Sequence, residues 1–398
     1  MQRLAKRSQV CPARACHLQS FLPPYTEANT AIFCGTPEQR VCAGLYALSG
    51  FCGKYGIVCL HQSPSFNDQL RRDVYGFRPE LQQRGDFFAY VANTETAHYY
   101  SPLSGMTAAH ILEAILPFSQ GSNADTHFLQ MRYHLQNLLT ILEAMRVPWS
   151  LDALMWLAEM PNERFENDIL QRVEHLHIRL ADSQTHHDTC TLIQAFAAQM
   201  SFALWTRSEN PSQLSIIRAI KDKSLISIYV NHEESLYMYL AQELRQLMEQ
   251  GVPFVVMASE VSLAGTPLQN LLFSLQGNCH VVITAAHLGQ ILEPSNDQMS
   301  RLRAKCNAVI VHNCPDAQTA EPFSSACGEY MRHALLTHYS KHRRAFQLFS
   351  DHEVGVGEQE TMTRCVRPEE LMQLGAEGAL LLGQNCALPI LTPKLLIP

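Results

Sequence analysis

No stretch of the 398-residue sequence approaches the roughly 18 consecutive apolar residues that a bilayer-spanning helix requires. The opening MQRLAKRSQVCPARACHLQS is basic but has no apolar run at its centre, so it does not read as a secretory signal. The expected compartment is the cytoplasm, with any recruitment to the inner membrane face left to partners. The thirteen cysteines include no paired C-x-x-C, and their number is odd. A disulfide framework is therefore not expected, and Cys11 and Cys16 are too isolated to build a zinc site alone. Cys34, Cys59, Cys279 and Cys306 lie in or beside apolar β-rich runs, where free cysteine behaves as a small hydrophobe. No metal is expected.

Charge is scarce as well. Asp, Glu, Lys and Arg make up 17% of the chain, and the formal net charge is −7. The low charged fraction hints at a surface covered by a partner. The acidic balance lacks the excess of a protein that grips phosphate backbones unaided. The one basic run is Arg332, His333, His338, Lys341, His342, Arg343 and Arg344, at spacing suited to one helix. Its first reading is a solvated helix face, with Lys341, Arg343 and Arg344 as the nucleic-acid contacts of the alternative.

What is present is an α/β pattern. Strand-like runs at Thr30–Cys34, Gly56–Leu60 and Phe87–Val91 alternate with helical ones, as in βαβ units of a parallel sheet. From about Thr107 to about Gln213 apolar residues recur at helical spacing, in Ile111, Leu112 and Ile115, then Leu135, Leu138, Leu139, Leu142 and Met145. Further helices are predicted over Leu151–Met160, Phe165–Leu180 and Cys190–Trp205. Strands resume at Leu225–Val230, Pro253–Met257, His280–Thr284, Ala308–His312 and Ala379–Leu382. Helices are predicted over Glu233–Gln250 and near Leu268–Leu275. The predicted division is an N-terminal extension over 1–27, one sheet built from 28–106 and 214–398, and an all-α insert over 107–213.

A strand, a glycine and then a helix is the setting of a phosphate-binding loop, G-x-x-x-x-G-K-[ST]. There the lysine reaches the β/γ-phosphates and the hydroxyl holds magnesium. In the register that starts at Gly35, Arg40 stands at the second glycine, Val41 at the lysine and Cys42 at the hydroxyl, and Glu38 adds a negative charge. Arg40 could supply a substitute cation, but its bulk occupies a position that needs close backbone approach. Gly53-Lys54 is a decoy, because Leu48 stands five residues before Gly53; a helix C-cap at Gly53 is the simpler reading. In Val255–Glu260 the metal-ordering aspartate of a Walker B segment is replaced by Ser259, while Glu260 keeps the acid. Without lysine or metal, Glu260 has nothing to activate, so a structural role is expected.

Taken in order, these segments resemble the type IV coupling proteins, the TraD/TraG-type ATPases of bacterial conjugation and type IV secretion. Tyr100-Ser101-Pro102-Leu103-Ser104-Gly105 is similar to that family's Tyr-Asn-Pro-Leu segment, and an all-α insert follows it in both. Val281–Ile291 is similar to the family's sensor strand, with Ala286 at the glutamine position. Asn307–Ile310 with Asp316, Ala320-Glu321 and Gly328-Glu329, then Arg367–Leu371 through Leu380, resemble the closing segments. The resemblance covers roughly residues 28 to 390. It implies a RecA-like P-loop NTPase fold, mostly parallel sheet flanked by helices. The departures fall on nucleotide contacts, and the family's N-terminal membrane anchor is not in the sequence. A pseudo-ATPase scaffold, adaptor or regulator is therefore expected, with no cofactor and with partners among the components of a transfer apparatus, an active coupling ATPase included. An active but atypical ATPase using Arg40, Glu260, ATP and magnesium is the alternative.

Two other clusters were weighed. His186-His187-Asp188-Thr189-Cys190, with His175 and His177, has no standard zinc spacing and reads as solvent-facing or capping. Cys314 or Cys327 with His312 suggests a Cys/His nucleophile, but no oxyanion donor or orienting group accompanies them, so buried or loop roles are expected. Leu236, Tyr239, Leu240, Leu244 and Leu247 form a stripe that reads as helix-on-sheet core.

Overall fold

In the computed structural model of the chain, the residues described are 16–17, 28–63, 65–83, 88–91, 100–118, 126–173, 182–203, 214–230, 234–342, 351–375, 378–383 and 387–391. Ten strands form the main sheet: β1 (Cys16–His17), β2 (Thr30–Phe33), β3 (Gly56–His61), β4 (Phe88–Val91), β5 (Leu225–Tyr229), β6 (Phe254–Ser259), β7 (Cys279–Ala285), β8 (Ala308–Val311), β11 (Gly378–Leu382) and β12 (Ala387–Leu391). Their order is β1-β12-β11-β8-β2-β7-β6-β3-β5-β4. The seven strands from β8 to β4 are mutually parallel, and β11 turns antiparallel to both β8 and β12. The expected α/β architecture with a mostly parallel sheet is observed.

The central strands read as unbroken apolar runs because both faces are covered. Ile57, Cys59, Leu225, Val255 and Met257 face α1 (Pro37–Ser49) and α2 (Phe66–Phe77), through Val41, Leu45, Leu48, Leu70 and Val74. Their neighbours Val58, Leu60, Ile226, Ile228, Val256 and Ala258 belong to the opposite cluster. Gly44 lets α1 lie close on the sheet, since a Cβ there would sit 2.7 Å from Thr284 and 2.9 Å from Met257.

Between β4 and β5 the described chain is helical, with α3 (Ala108–Ile115), α4 (Thr126–Ala144), α5 (Leu151–Ala158), α6 (Ser183–Ala203) and α7 (Ile216–Lys221). Their buried faces run into one continuous apolar cluster with the sheet and with α8 (Glu234–Glu249), so they do not form a separate core. α6 begins seven residues before the predicted Cys190, capped by Asp182, whose carboxylate accepts the Thr185 N–H at 2.8 Å. Of the predicted helix over Phe165–Leu180, the described part is helical, a π-helix over Phe165–Leu170 and an α turn over Gln171–Val173, and the rest lies outside the described residues.

Two expectations are corrected. The basic run does not lie on a helix: Glu329–His342 is strand β9, paired antiparallel with β10 (Asp351–Arg364) in a sheet of its own. Its sequence neither alternates nor is rich in β-branched residues; pairing with β10 along all fourteen positions outweighs a weak helical spacing. Lys341 is on β9; Arg343 and Arg344 lie outside the described residues. Gly53 does not cap α1, which ends at Gly50; Gly53 adopts φ +80° in the turn that follows. Among the described residues no helix is long and apolar enough to cross a membrane.

Candidate nucleotide-type site at the strand ends

In an open parallel sheet, ligands gather beyond the C-terminal strand ends where the strand order reverses. Here that point is β2, which lies between β8 and β7: the chain leaves it through α1 for β3, past β7 and β6 on one side, while β8 lies on the other. The turn leaving β2 is three residues long. Cys34 and Gly35 are both left-handed, at φ 62° and 68°, and a Cβ on Gly35 would lie 2.7 Å from the Cβ of His312. Thr36 then caps α1 in a reciprocal box: its hydroxyl accepts the Gln39 N–H at 3.3 Å, and Gln39 Oε1 accepts the Thr36 N–H at 2.8 Å. Pro37 opens the helix.

Arg40, Val41 and Cys42 are not loop positions but belong to the first turns of α1. Val41 and Cys42 point into the core, where burial pushes the Cys42 thiol up to about 12. The positive end of α1 is already occupied by the chain itself. Its own backbone N–H and the Thr36 hydroxyl hold the Glu38 carboxyl below its usual range.

Arg40 does come to the site, and it closes it. The guanidinium, buried to 4% exposure, donates from Nη1 to the Gly35 carbonyl at 2.7 Å and the Cys34 carbonyl at 3.2 Å. From Nε it donates to Glu260 Oε1 at 2.8 Å, and Nη2 donates to Glu260 Oε2. The pair is a bidentate fork, the strongest arrangement for these two groups. Glu260 follows the last residue of β6 and adopts φ +57°, a conformation uncommon for a residue with a Cβ. Thr284 fixes it there: the Glu260 N–H donates to the Thr284 carbonyl at 2.9 Å, and the Thr284 hydroxyl donates to Glu260 Oε1 at 3.0 Å. The Ser259 hydroxyl, at the magnesium-ordering position, lies 3.2 Å from the Thr284 hydroxyl.

The residues present do not fit a triphosphate with its magnesium. The loop is too short to wrap phosphates, no lysine or aspartate stands at the strand ends of β2 and β6, and both oxygens of Glu260 are engaged by a cation. Ala286, at the sensor position, leaves β7 half-buried and donates its N–H to Gln290 Oε1 at 2.9 Å, so it is tied to its own loop.

His312 and Cys314 enter the same strand-end cluster from β8. The His312 imidazole is fully buried, neither ring nitrogen has a hydrogen-bond partner, and burial followed by the Arg40 charge lowers its pKa to about 4. Cys314 Sγ sits 3.3 Å from Cys34 Sγ, and that contact together with burial raises the Cys34 thiol far above its usual value. A thiol so disposed is no activated nucleophile. The structural reading of these residues stands. Sequence reasoning did not foresee Thr284, Thr36, Gln39 or Cys34 as members of the site; only the adjacency of β2, β6, β7 and β8 joins them.

The histidine cluster of α6 is also tied internally. His186 Nδ1 lies 2.8 Å from Nε2 of buried His134, and its Nε2 lies 3.6 Å from Cys190 Sγ. His186 is half-buried and tied to its neighbours, whereas His187 is exposed, the solvent-facing role expected of the cluster; His175 and His177 lie outside the described residues. Among the described residues no group of three is placed to hold a metal.

A second constellation joins the helical stretch to the sheet. Tyr100 donates to Glu243 Oε2, the Tyr239 hydroxyl accepts the Leu103 N–H at 2.9 Å, and Gln246 bridges the Gly105 carbonyl and the Thr107 N–H at 2.9 and 2.7 Å. Glu243 is fully buried with no cation, so desolvation raises its pKa to about 7.

No known family profile and no curated protein matches the sequence. Among solved structures the chain is similar to the bacterial conjugative coupling protein TrwBdeltaN70 in its unbound monoclinic form. The TM-score is 0.52 at 12% identity, over 93% of this chain and 86% of that one. The fold is RecA-like. A trigonal form of the same coupling protein in complex with sulphate aligns at TM-score 0.49, with 12% identity over the same shares of the two chains. The likeness is one of RecA-like fold and spans nearly the whole chain, as the sequence resemblance implied.

Proposed function

We propose that this chain is a coupling-protein-like pseudo-ATPase, a scaffold, adaptor or regulator in a bacterial conjugative-transfer or type IV secretion apparatus. The observation that carries the reading is the Arg40–Glu260 fork. It seals the strand ends at which a RecA-like ATPase would bind phosphate, and it commits the one remaining acid to an internal partner. The chain keeps the fold for assembly. Its partners are protein components of the same machine, an active coupling ATPase among them, met through the helical stretch 107–213 or the edge of the RecA-like sheet.

The test is a thermal-shift and calorimetric titration with ATP, ADP and a non-hydrolysable analogue, each with magnesium. No change in Tm at millimolar nucleotide is the expected result. A shift of several degrees, with magnesium-dependent turnover that Glu260→Gln abolishes, would replace the reading with that of an active atypical ATPase. Co-purification with an active coupling ATPase is expected in the same cells.

A further inference from the structure

In the helical stretch a histidine stands beside a thiol. His186 and Cys190 are one turn apart on α6, so their side chains leave the same face, and His186 Nε2 lies 3.6 Å from Cys190 Sγ. A thiolate sulfur at about 2.3 Å and an imidazole nitrogen at about 2.0–2.1 Å from one tetrahedral cation stand roughly 3.6 Å apart. The pair therefore has the separation of two ligands of one ion.

The ring behind it is arranged as the support of a metal-binding histidine would be. His134 Nε2 lies 2.8 Å from His186 Nδ1, and Phe165 packs against the His186 ring at 5.2 Å between centroids. His134 is buried, and its own Nδ1 has no hydrogen-bond partner. Burial, followed by the neighbouring His186, lowers the His134 pKa to about 4, so its ring is neutral at pH 7 and can accept from His186 Nδ1–H. A hydrogen bond in that sense places the lone pair of His186 on Nε2, toward Cys190.

His186 and Cys190 open on a cavity of about 260 Å³ between the end of α5 and the first turns of α6. Among the described residues no third histidine, cysteine or carboxylate converges on them. The other soft donor on the wall is the Met160 thioether. Burial pushes the Cys190 thiol up to about 11, so at pH 7 it is protonated, and only a strongly thiophilic cation displaces that proton.

We propose that this cavity is a copper(I) site, with His186 Nε2, Cys190 Sγ and Met160 Sδ as ligands. Imidazole, thiolate and thioether make a soft donor set that suits copper(I), whereas zinc sites draw on cysteine, histidine and carboxylate. On binding, one Cu–N and two Cu–S bonds form, the Cys190 thiol proton leaves to solvent, and no electron is exchanged. The ion ties α6 to the end of α5, with His134 of α4 as the positioning residue. The inference is independent of the Arg40–Glu260 fork and of the pseudo-ATPase reading.

The test is anaerobic titration of the reduced full chain with copper(I) in competition with ferrozine, followed by X-ray absorption at the copper edge. Wild type is expected to hold copper(I) with one nitrogen and two sulfur neighbours. Cys190→Ser and His186→Gln are each expected to lose it, and Met160→Leu to weaken it and show one sulfur fewer. His134→Phe is expected to lower the affinity about 10–100-fold with the neighbours unchanged. Cys365→Ser, at an exposed thiol elsewhere, is expected to change nothing. One proton leaves per ion, so affinity is expected to rise about tenfold per pH unit from pH 7 to 9. The metal-free Tm of each variant separates a lost ligand from a lost fold, and Met160→Leu, close in volume, keeps the test open where another variant does not fold. No copper held against the competitor, or copper held undiminished by Cys190→Ser, would overturn the proposal. So would sulfur-only neighbours, which place the ion at Cys34 and Cys314 or at other thiols, and so would a chain that takes zinc and no copper.

Discussion

Glu260 and Glu243 are both withdrawn from water, one at the C-terminal strand ends and the other beneath the helical stretch, and the chain stabilises them by different means. Glu260 meets a guanidinium in a two-point fork and the Thr284 hydroxyl. Glu243 meets the Tyr100 hydroxyl and no cation, and its second oxygen is without a partner. The first arrangement closes a site with fixed charges. The second leaves a carboxyl poised near neutrality at the junction between helices and sheet. A buried acid with a cation acts as a clasp, whereas one without a cation makes its surroundings sensitive to pH.

The largest effect should come from opening the clasp. Arg40→Ala leaves Glu260 facing only Thr284, with a cost of about 3 kcal/mol, toward the lower end for a broken buried pair because the Glu260 side chain keeps 21% exposure. Arg40→Met with Glu260→Leu is expected to recover most of that loss. Chemical denaturation of wild type, Arg40→Met, Glu260→Leu and the double variant in a double-mutant cycle checks it; simple additivity would mean the two residues are not coupled.

Next comes the pH response. Below about pH 4.5 Glu243 is protonated in folded and unfolded chains alike. Between 4.5 and about 7 the folded state keeps the proton that the unfolded state releases, so stability falls as pH rises. The full loss is about 3 kcal/mol above pH 7. His61, His134 and His312 act in the opposite direction. Their folded pKa values are lowered to about 4, so stability is eroded as pH falls from the ordinary value of 6.5. With three histidines against one carboxyl the histidine slope wins wherever both titrate, so stability rises from the acid side and levels off near or above about pH 7. Glu243→Gln removes the opposing contribution and should steepen the rise in stability between about pH 4.5 and 7 in a Tm-versus-pH series.

Tyr100→Phe should cost about 1–3 kcal/mol and carry the Glu243 titration to higher pH, because the Tyr100 hydroxyl, followed by that of Tyr239, holds the Glu243 pKa down. An unchanged midpoint would show that the hydroxyl does not reach the carboxyl in solution. The smallest effect belongs to the helix cap beside the clasp: Gln39→Ala removes half of the capping box and should lower stability by about 1 kcal/mol. Denaturation midpoints are sufficient to read it.

The sheet was legible because strands buried on both faces cannot alternate; Leu225–Val230 and His280–Thr284 read as apolar runs and are strands. Helix boundaries were less legible. α1 was expected after Gly35 and is found there, but its start at Pro37 and the Thr36–Gln39 capping box were not read from the sequence. The β9–β10 ribbon was read as a helix because a basic spacing carries little information when the partner strand is a separate segment. Of the candidate site, Gly35, Arg40 and Glu260 were named from motif positions, but their mutual contact was not.

By itself the sequence determined the α/β class, the strands of the parallel sheet and the absence of a lysine and an aspartate from the positions that hold nucleotide, because these depend on local runs and spacings. Tertiary structure alone decided that Arg40 and Glu260, 220 residues apart, form a fork, that Thr284 holds Glu260 in its left-handed conformation, and that Tyr100 and Glu243 meet inside the core. Such contacts follow from which strands lie side by side, and strand order is set by the packing of whole helices on the sheet rather than by any short segment.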